Sequence, residues 1–420
     1  ELDANTLNAL TSDGDISIAD TAGGVAVGLV SALGNEVDLS AEGGRITAVT
    51  PNDYTADVVG TDIILDVDGG SSSTVGVDGS SLEIAGGTLE AITDGGGIFI
   101  TDLAGGIAVS EVNATGSGTV KLHAVNGSIT EDGSDSGADI TGDELHITVT
   151  GAASTIGTSA ETLEIAGGTI RIASTEGGSI YLHDIAGGIA VDLVSTTGAA
   201  GSVIQLSAAN GSIVENPDAD ADFIAESLVL SATGSGTIGT GSEAIEIEAD
   251  NLSANTEGGG IWLVDLGGGI VIDQVTTGGA LGSVIDLTAL NGSIIETEPG
   301  DAGSDLEADT VELTVTGPNA SIGSSTNAIE IIANNIVLDG GNRVFLEPQN
   351  APGPPPILSF GPTPPSIAIL GGQVAGGADI HLYKQAITVL DPYNDIQLFI
   401  VSDPSFPSTG ELILSFEGME

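Results

Sequence analysis

Several residue types are scarce in this 420-residue chain. Cysteine is absent, which excludes a disulfide framework and any cysteine-ligated metal site. Aromatic residues make up only 3%, so the rings that usually fill a large round core are missing. Lysine and arginine number 5 against 60 acidic residues, and the net charge of −55 excludes nucleic acid and anionic lipid as partners. No apolar run reaches the length of a membrane span, so membrane insertion is not expected.

The residues that are plentiful indicate strands. Glycine supplies 64 residues, and 40% of the chain is hydrophobic, mostly isoleucine, valine, leucine and alanine. This hydrophobic content is too high for a disordered acidic chain. Short β-branched and aliphatic side chains suit narrow, stacked strands.

One sequence unit of about 82 residues recurs four times. The second glycine of a Gly-Gly-aliphatic segment is Gly24, Gly106, Gly188 and Gly269, so the intervals are 82, 82 and 81 residues. Three other markers share this period, and their copies begin at Gly43, Asn126, Asn210 and Asn291; at Thr74, Thr155, Thr237 and Ser321; and at Leu82, Leu163, Ile245 and Ile329. A fixed period of this kind is typical of solenoids and propellers.

Each unit contains short segments in which apolar and polar residues alternate, as in 179–182, 203–206, 227–230 and 245–248. Alternation indicates strands with one buried face, and Gly and Asn-Gly provide the positive φ of tight corners. We therefore interpret one unit as about four turns of a coil, each near twenty residues, that stacks on its neighbours. A four-bladed β-propeller is the alternative, although blade repeats are usually shorter and richer in aromatic residues.

The sequence thus predicts an all-β fold, a parallel β-helix (solenoid) over residues 1–349. The repeats are placed at about 1–87, 88–168, 169–250 and 251–334, with a partial copy at 335–349. Seven of the 15 prolines lie between Pro352 and Pro365, which predicts a Pro-rich linker at 350–365. Residues 366–420 are predicted to form a small C-terminal β module that caps its own coil or docks on a neighbouring subunit. Because the first copy starts in mid-unit, we expect another coil before residue 1, from a longer chain or a second subunit.

Several phrases recur in register: Gly-Gly-Ser-Ile-Tyr-Leu (177–182), Asn-Gly-Ser-Ile (210–213), Leu-Val-Leu-Ser-Ala-Thr-Gly (228–234) and Thr-Ile-Gly-Thr (237–240). They resemble the repeats of filamentous-haemagglutinin-like large exoproteins, a family of secreted bacterial adhesins, over about residues 1–349. The resemblance implies a right-handed coil, export through a partner transporter, an extracellular or cell-surface location, and a role in adhesion or biofilm. The Asn-Pro-Asn motifs of that family's secretion domain are absent.

Right-handed β-helices also include polysaccharide lyases and glycosidases, so a carbohydrate-active enzyme is the alternative function. Lyases need converging basic groups, but the basic residues here are scattered in the sequence: Arg45, Lys121, Arg171, Arg343 and Lys384. The four histidines share no repeat position and no metal spacing, and are predicted to lie on the surface: His123, His146, His183 and His381. The sequence therefore predicts no enzyme activity, no catalytic or cofactor-binding residue and no metal ligand.

Acidic segments recur in phase at 131–139, 215–222 and 296–309. Oxygen-rich loops of this kind can bind Ca²⁺. The Gly-Gly-x-Gly-x-Asp nonapeptide of calcium-binding β-rolls is absent, which favours the simpler interpretation of solvated acidic loops. No cofactor is predicted, and Ca²⁺ binding is kept as a hypothesis to be tested by thermal melting.

Four aromatic residues share one repeat position: Phe99, Tyr181, Trp262 and Phe345, with Ser17 in the first copy. Alternation places their neighbours inward and the rings outward. We expect these rings to contact a partner, either a sugar ring or another fibre; a loop that covers them is the alternative. Taken together, the sequence predicts an extracellular structural or adhesive fibre segment. Its expected partners are further copies of itself, stacked end to end, and a glycan or cell-surface receptor.

Overall fold

The computed structural model describes residues 5–348 except 117, 134–135, 198–199, 279–280, 298–302, 325 and 341–342, and the strands at 357–360, 367–370 and 397–400. The described residues contain no helix and form a parallel β-solenoid of about 14 turns. The predicted all-β parallel solenoid is therefore confirmed, and the propeller alternative is wrong. The chain divides into two compact units, residues 1–236 and 237–420.

The described residues of unit 1 form 21 strands: β1 Thr6–Thr11, β2 Ile16–Asp20, β3 Val25–Ala32, β4 Val37–Glu42, β5 Ile46–Ala48, β6 Val58–Val59, β7 Asp62–Asp68, β8 Leu82–Ala85, β9 Thr88–Thr93, β10 Ile98–Asp102, β11 Gly106–Ala114, β12 Thr119–Ala124, β13 Ser128–Glu131, β14 Ile140–Val149, β15 Leu163–Ser174, β16 Ile180–Asp184, β17 Gly188–Val191, β18 Val194–Ser195, β19 Val203–Ala208, β20 Ser212–Glu215 and β21 Phe223–Ala232. Unit 2 contains β22 Ile245–Thr256, β23 Ile261–Asp265, β24 Gly269–Thr276, β25 Val284–Ala289, β26 Ser293–Glu296, β27 Leu306–Glu307, β28 Thr310–Val315, β29 Ser321–Ile322, β30 Ile329–Ile332, β31 Asn335–Gly340, β32 Arg343–Pro348, β33 Ile357–Phe360, β34 Ile367–Leu370 and β35 Gln397–Ile400.

Strand partners in unit 1 give the length of a turn. One stack of paired residues, stack A, runs through Ile16, Val37, Ile63, Leu89 and Val109. A second stack, stack B, runs through Val25, Ile46, Val75, Ile98 and Val120. Ile98 is the counterpart of Ile16 one repeat later, yet it lies in the other stack. One sequence unit therefore covers about three and a half turns of unequal length, and the expectation of four turns near twenty residues is wrong.

Aliphatic ladders fill the inside of both units. Val37, Leu39 and Leu65 are buried in unit 1, as are Ile285 and Val311 in unit 2, and each stacks on the same face of the turn before. Burial alternates along these strands as the sequence pattern predicts, for example in β12 and β25. Phe223 is the one aromatic ring among the largest fully buried side chains of the described residues. Small aliphatic side chains thus suffice to fill the interior of the coil, because each side chain also packs on its counterparts in the turns before and after it.

The Gly-Gly and Asn-Gly corners stack directly on each other. Asn126, Asn210 and Asn291 have φ values of 57°, 55° and 62°, which confirms the predicted left-handed corner conformation. A second reason for glycine concerns space: a Cβ on Gly127 would overlap the backbone of Gly106 in the turn before. The repeated glycines therefore allow two backbones to touch where the coil turns.

The predicted linker and C-terminal module lie mostly outside the described residues. The parts that are described continue the parallel pairing of unit 2. Strand β33 pairs with β31, β34 pairs with β32, and β35 pairs with β34. No helix among the described residues is long and apolar enough to cross a membrane.

Candidate functional site

The four repeated aromatic residues lie on β10, β16, β23 and β32. Phe99, Tyr181 and Trp262 are half-buried between buried neighbours, whereas Phe345 is 9% exposed. Tyr181 lies on the side of stack A, because its neighbour Ile180 pairs back through Ile156 and Ile129 to Ile107 of β11, the strand that carries Val109 of stack A. Phe99 lies beside Ile98 of stack B. Trp262 and Phe345 of unit 2 are separated in the same way. Their neighbours pair with different residues, Ile261 with Ile285 and Val344 with Ile322. The structure therefore does not align the rings into one row within either unit.

Small neighbours explain why the rings are only half-exposed. The Phe99 ring rests against Gly97, two residues earlier on the same outer face, and a Cβ there would overlap Cε2 and Cζ. The Trp262 ring rests in the same way against Gly260 and also borders Gly241. The ring thus packs over the glycine, where no side chain is in the way, and part of the aromatic surface stays accessible.

A cleft of about 400 Å³ opens beside Phe99 in unit 1. Its floor is formed by outward side chains of β10, β12 and β14, which lie on consecutive turns. Two rows of paired residues run across this floor, first Phe99, Lys121 and His146, then Thr101, His123 and Thr148. The wall is the segment 77–81, in which Val77 and Ser80 bond each other's backbone. The lining is completed by Asn52, Ile100, Leu122 and Ile172.

Polar contacts hold this cleft in shape. Lys121 Nζ lies 2.8 Å from Asp78 Oδ1 on the wall, and the Ser81 and Thr101 hydroxyl oxygens are 2.7 Å apart. His123 Nδ1 lies 2.7 Å from the Thr148 hydroxyl. The Asn52 side-chain amide donates to the Gly79 carbonyl at 3.0 Å. The wall is therefore tied to the floor and to the neighbouring loop.

Charged groups around the cleft are compensated. The hydrogen bond from Lys121 holds the pKa of Asp78 below its usual value. Burial lowers the pKa of His123, and burial followed by the charge of Lys121 lowers that of His146, so the neutral form of both imidazoles is favoured. Arg171 also acts on His146 and itself pairs with Glu144 at 2.9 Å and with Asp192 at 3.3 Å.

The structure brings together residues that are distant in sequence. Lys121, His123 and His146 share the cleft, and the charge of Arg171 acts on His146. Their sequence spacing carries no sign of this, because convergence depends on the lengths of two intervening turns. His183 lies elsewhere, with Nδ1 2.7 Å from the Ser207 hydroxyl.

Buried carboxyl groups form a second recurrent feature. Carboxylate oxygens of Glu131, Asp139 and Glu164 lie within 4.8 Å of one another in unit 1, and the same holds for a second set in unit 2, Glu296, Asp305 and Glu330. In each set the aspartate accepts the backbone N–H of the glutamate one turn on, at 2.7 Å. We call these two sets the carboxyl triads. Either triad could hold a cation with oxygen ligands.

The first repeat has a reduced form of the triad. Asp57 Oδ2 accepts the Glu83 backbone N–H at 3.0 Å, while Ala48 stands where the triad of the next copy has Glu131. Burial raises the pKa of Asp57 to about 6, that of Asp139 to about 8 and that of Asp305 to about 7. The like charges of Glu83, Glu164 and Glu330 add to these pKa shifts.

Sequence alternation did not identify these carboxyl groups. In segments such as Leu82–Ile84, period two places the central glutamate outward, yet Glu83 and Glu330 are buried. A usable signal is the acidic residue immediately before a buried strand position, which recurs in every copy: Asp57, Asp139, Asp222 and Asp305. Each of the acidic segments predicted as solvated loops thus contains a buried aspartate.

A third recurrent carboxyl group caps the Gly-Gly corner. Asp102, Asp184 and Asp265 each accept the backbone N–H of the second glycine, at 2.9, 2.8 and 2.7 Å. Each of the three is fully buried. The pattern Asp-x-x-Gly-Gly is found in all four copies, beginning at Asp20 in the first. These aspartates have a structural role and are not part of the cleft.

No known family model, curated protein or solved structure matches the chain.

Proposed function

We propose that the chain is a segment of an extracellular structural or adhesive fibre on a bacterial surface, with adhesion or biofilm scaffolding as its task. The observation that carries this proposal is the parallel stacking. In both units the described turns pair their backbone with neighbouring turns and pack aliphatic ladders on them. Such repeat proteins present similar outward surfaces turn after turn, which suits scaffolding and adhesion. The net charge of −55 keeps a particle of this kind soluble.

In finer detail, the proposed fibre segment is a right-handed coil of four repeats of about 82 residues, followed by the linker at 350–365 and the module at 366–420. Copies are proposed to stack end to end into a filament, because a terminal turn of any parallel solenoid has backbone groups that another strand can pair. The module caps its own coil or docks on the next copy. The half-buried rings of Phe99, Tyr181 and Trp262 are proposed contacts for a glycan or receptor, whereas the expected contact at Phe345 is not proposed because that ring is buried.

Negative-stain imaging of the purified full chain tests the fibre. We expect unbranched filaments whose number rises with protein concentration. Sedimentation velocity of the same samples is expected to show a matching loss of the single-chain species. Single particles at every concentration would count against end-to-end stacking.

A carbohydrate-active enzyme is the second candidate, and the Phe99 cleft is the observation that favours it. Hydrolysis or elimination needs a carboxylate or a base directed at the sugar. Incubation of the chain with neutral and acidic polysaccharides, followed by measurement of new reducing ends, tests this candidate. If reducing ends are released by the wild type and not by Asp78→Asn, the enzyme is favoured over the fibre.

A further inference from the structure

The Phe99 cleft concentrates side chains that are rare in this protein. The chain has 5 Lys and Arg residues, 4 His and 7 Phe. One cleft nevertheless contains Phe99, Lys121, His123 and His146, all on consecutive turns. Its volume of about 400 Å³ lies within the range of small-molecule sites, about 300–1,000 Å³.

The cleft is locally neutral although the chain is strongly acidic. Lys121 is paired with Asp78, and Arg171 with Glu144 and Asp192. A charged ligand gains little here, because it has to displace an existing partner, and an anion also meets the net charge of −55. The charge balance therefore favours an uncharged ligand.

The lining combines an apolar ring with polar edges. The Phe99 ring rests against Gly97 on one side and lines the cleft. Around it stand an ammonium, which donates hydrogen bonds, and imidazoles and hydroxyls, which both donate and accept them. A pyranose has the matching surface, since its C–H groups pack on an aromatic ring while its hydroxyls point outward to polar groups.

We propose that the Phe99 cleft binds an uncharged pyranose residue of a neutral glycan. Phe99 packs against the C–H face of the sugar, and the Lys121–Asp78 pair and His146 hydrogen-bond its hydroxyls. Thr101 and Thr148 stand at the two ends of the second row of the floor, on either side of His123. The inference rests on the proposed adhesive function, because it names the surface chemistry to which the fibre would attach.

Sugar binding is measured on single, full-length chains at pH 7.5 by ligand-observed NMR and calorimetry. The probes are cellobiose, lactose, maltose, mannobiose and chitobiose, with glucuronate-containing disaccharides of similar size for comparison. We expect at least one neutral disaccharide to bind, and Phe99→Ala to weaken that binding at least tenfold. Lys121→Gln is expected to weaken it severalfold, because the ammonium that hydrogen-bonds the sugar hydroxyls is lost. Glutamine is chosen because Gln205 stands at the corresponding place beside Tyr181.

Tyr54→Ala is the matched control, since it removes an exposed aromatic ring of unit 1 that does not line the cleft. It is expected to change the affinity less than twofold. The thermal melting of each variant is recorded, so that a loss of fold is separated from a loss of binding. The proposal is overturned if none of the neutral probes binds, if only the glucuronate probes bind, or if Tyr54→Ala and Phe99→Ala weaken binding equally.

The fibre and the sugar site can fail separately. Filaments without sugar binding leave the fibre standing and remove the Phe99 site. Sugar binding by a chain that never forms filaments removes the fibre and keeps the site. Release of reducing ends from a bound glycan replaces the adhesive function with the enzyme.

Discussion

At the scale of single residues, the glycine corners are the most constrained positions. A Cβ on Gly292 would overlap the backbone nitrogen of Gly269, whereas a Cβ on Gly267 meets nothing within 4 Å. We expect Gly292→Ala to lower the free energy of unfolding by about 3 kcal/mol or more, because two backbones must separate. Gly267→Ala, its control, is expected to change it by less than about 1 kcal/mol. Urea unfolding of both variants measures this, and equal losses would mean that corner contact is not the cause.

The corner aspartates stabilise the same feature through a hydrogen bond. Asp184 is fully buried and accepts the Gly188 N–H at 2.8 Å. Its replacement by alanine leaves that N–H without its acceptor, so we expect a loss of about 1–3 kcal/mol in the free energy of unfolding. Asp220→Ala removes the same charge from an exposed position and is expected to be nearly neutral. An equally large loss of unfolding free energy in Asp220→Ala would show that the removed charge, and not the hydrogen bond, causes the effect.

At the scale of the strand and its neighbouring turns, the carboxyl triads link stability to pH. Burial raises the pKa of Asp139 to about 8, with Glu164 and Glu131 adding their charges. The folded chain therefore keeps a proton that the unfolded chain releases near pH 4. Because the folded state binds more protons between about pH 4 and 8, this group lowers the free energy of unfolding as pH rises, by up to about 1.4 kcal/mol per pH unit.

We expect the melting temperature to rise when the pH is lowered from 8 to 5. Asp139→Asn is expected to flatten this slope, since the amide replaces the protonated carboxyl. Asp143→Asn removes the same charge from an exposed position of the same strand and is expected to leave the slope unchanged. Equal slopes in the wild type and in Asp139→Asn would show that the triad does not hold the proton.

The Ca²⁺ hypothesis from the acidic segments stays a prediction, and the triads give it a location. Three oxygen-bearing side chains within 4.8 Å offer the ligands that Ca²⁺ prefers. We expect millimolar Ca²⁺ to raise the melting temperature at pH 8, where the carboxyl groups release their protons most readily. Glu296→Gln is expected to reduce that rise. An identical melt in chelator and in Ca²⁺ would remove the hypothesis.

The sequence predicted the elements better than their arrangement. Alternation identified the aliphatic ladders, and Asn-Gly pairs such as 126–127 identified the corners, because both depend on local conformation. The half-turn offset between repeats was missed because turn lengths vary: Ile16 and Val37 are 21 residues apart, while Val37 and Ile63 are 26 apart. The Phe99 cleft was missed for the same reason. The buried Glu83 contradicts alternation because the backbone N–H groups of Asp53 and Tyr54, rather than water, donate hydrogen bonds to its carboxylate, at 3.1 and 3.0 Å.

At the scale of the whole molecule, the net charge of −55 opposes any association between copies. Charges on two chains act over about 30 Å at 0.01 M salt but only about 8 Å at 0.15 M. If strand pairing holds neighbouring copies of the proposed filament together, salt screens the repulsion between them while the backbone hydrogen bonds persist. We therefore expect filaments to be sparse at about 0.01 M NaCl and abundant at about 0.15 M and above, as counted on grids and by light scattering. Sucrose in place of salt is the control and is expected to leave the count low. Filaments that dissolve as salt is added would instead mean that ion pairs, for which this chain has few cations, join the copies.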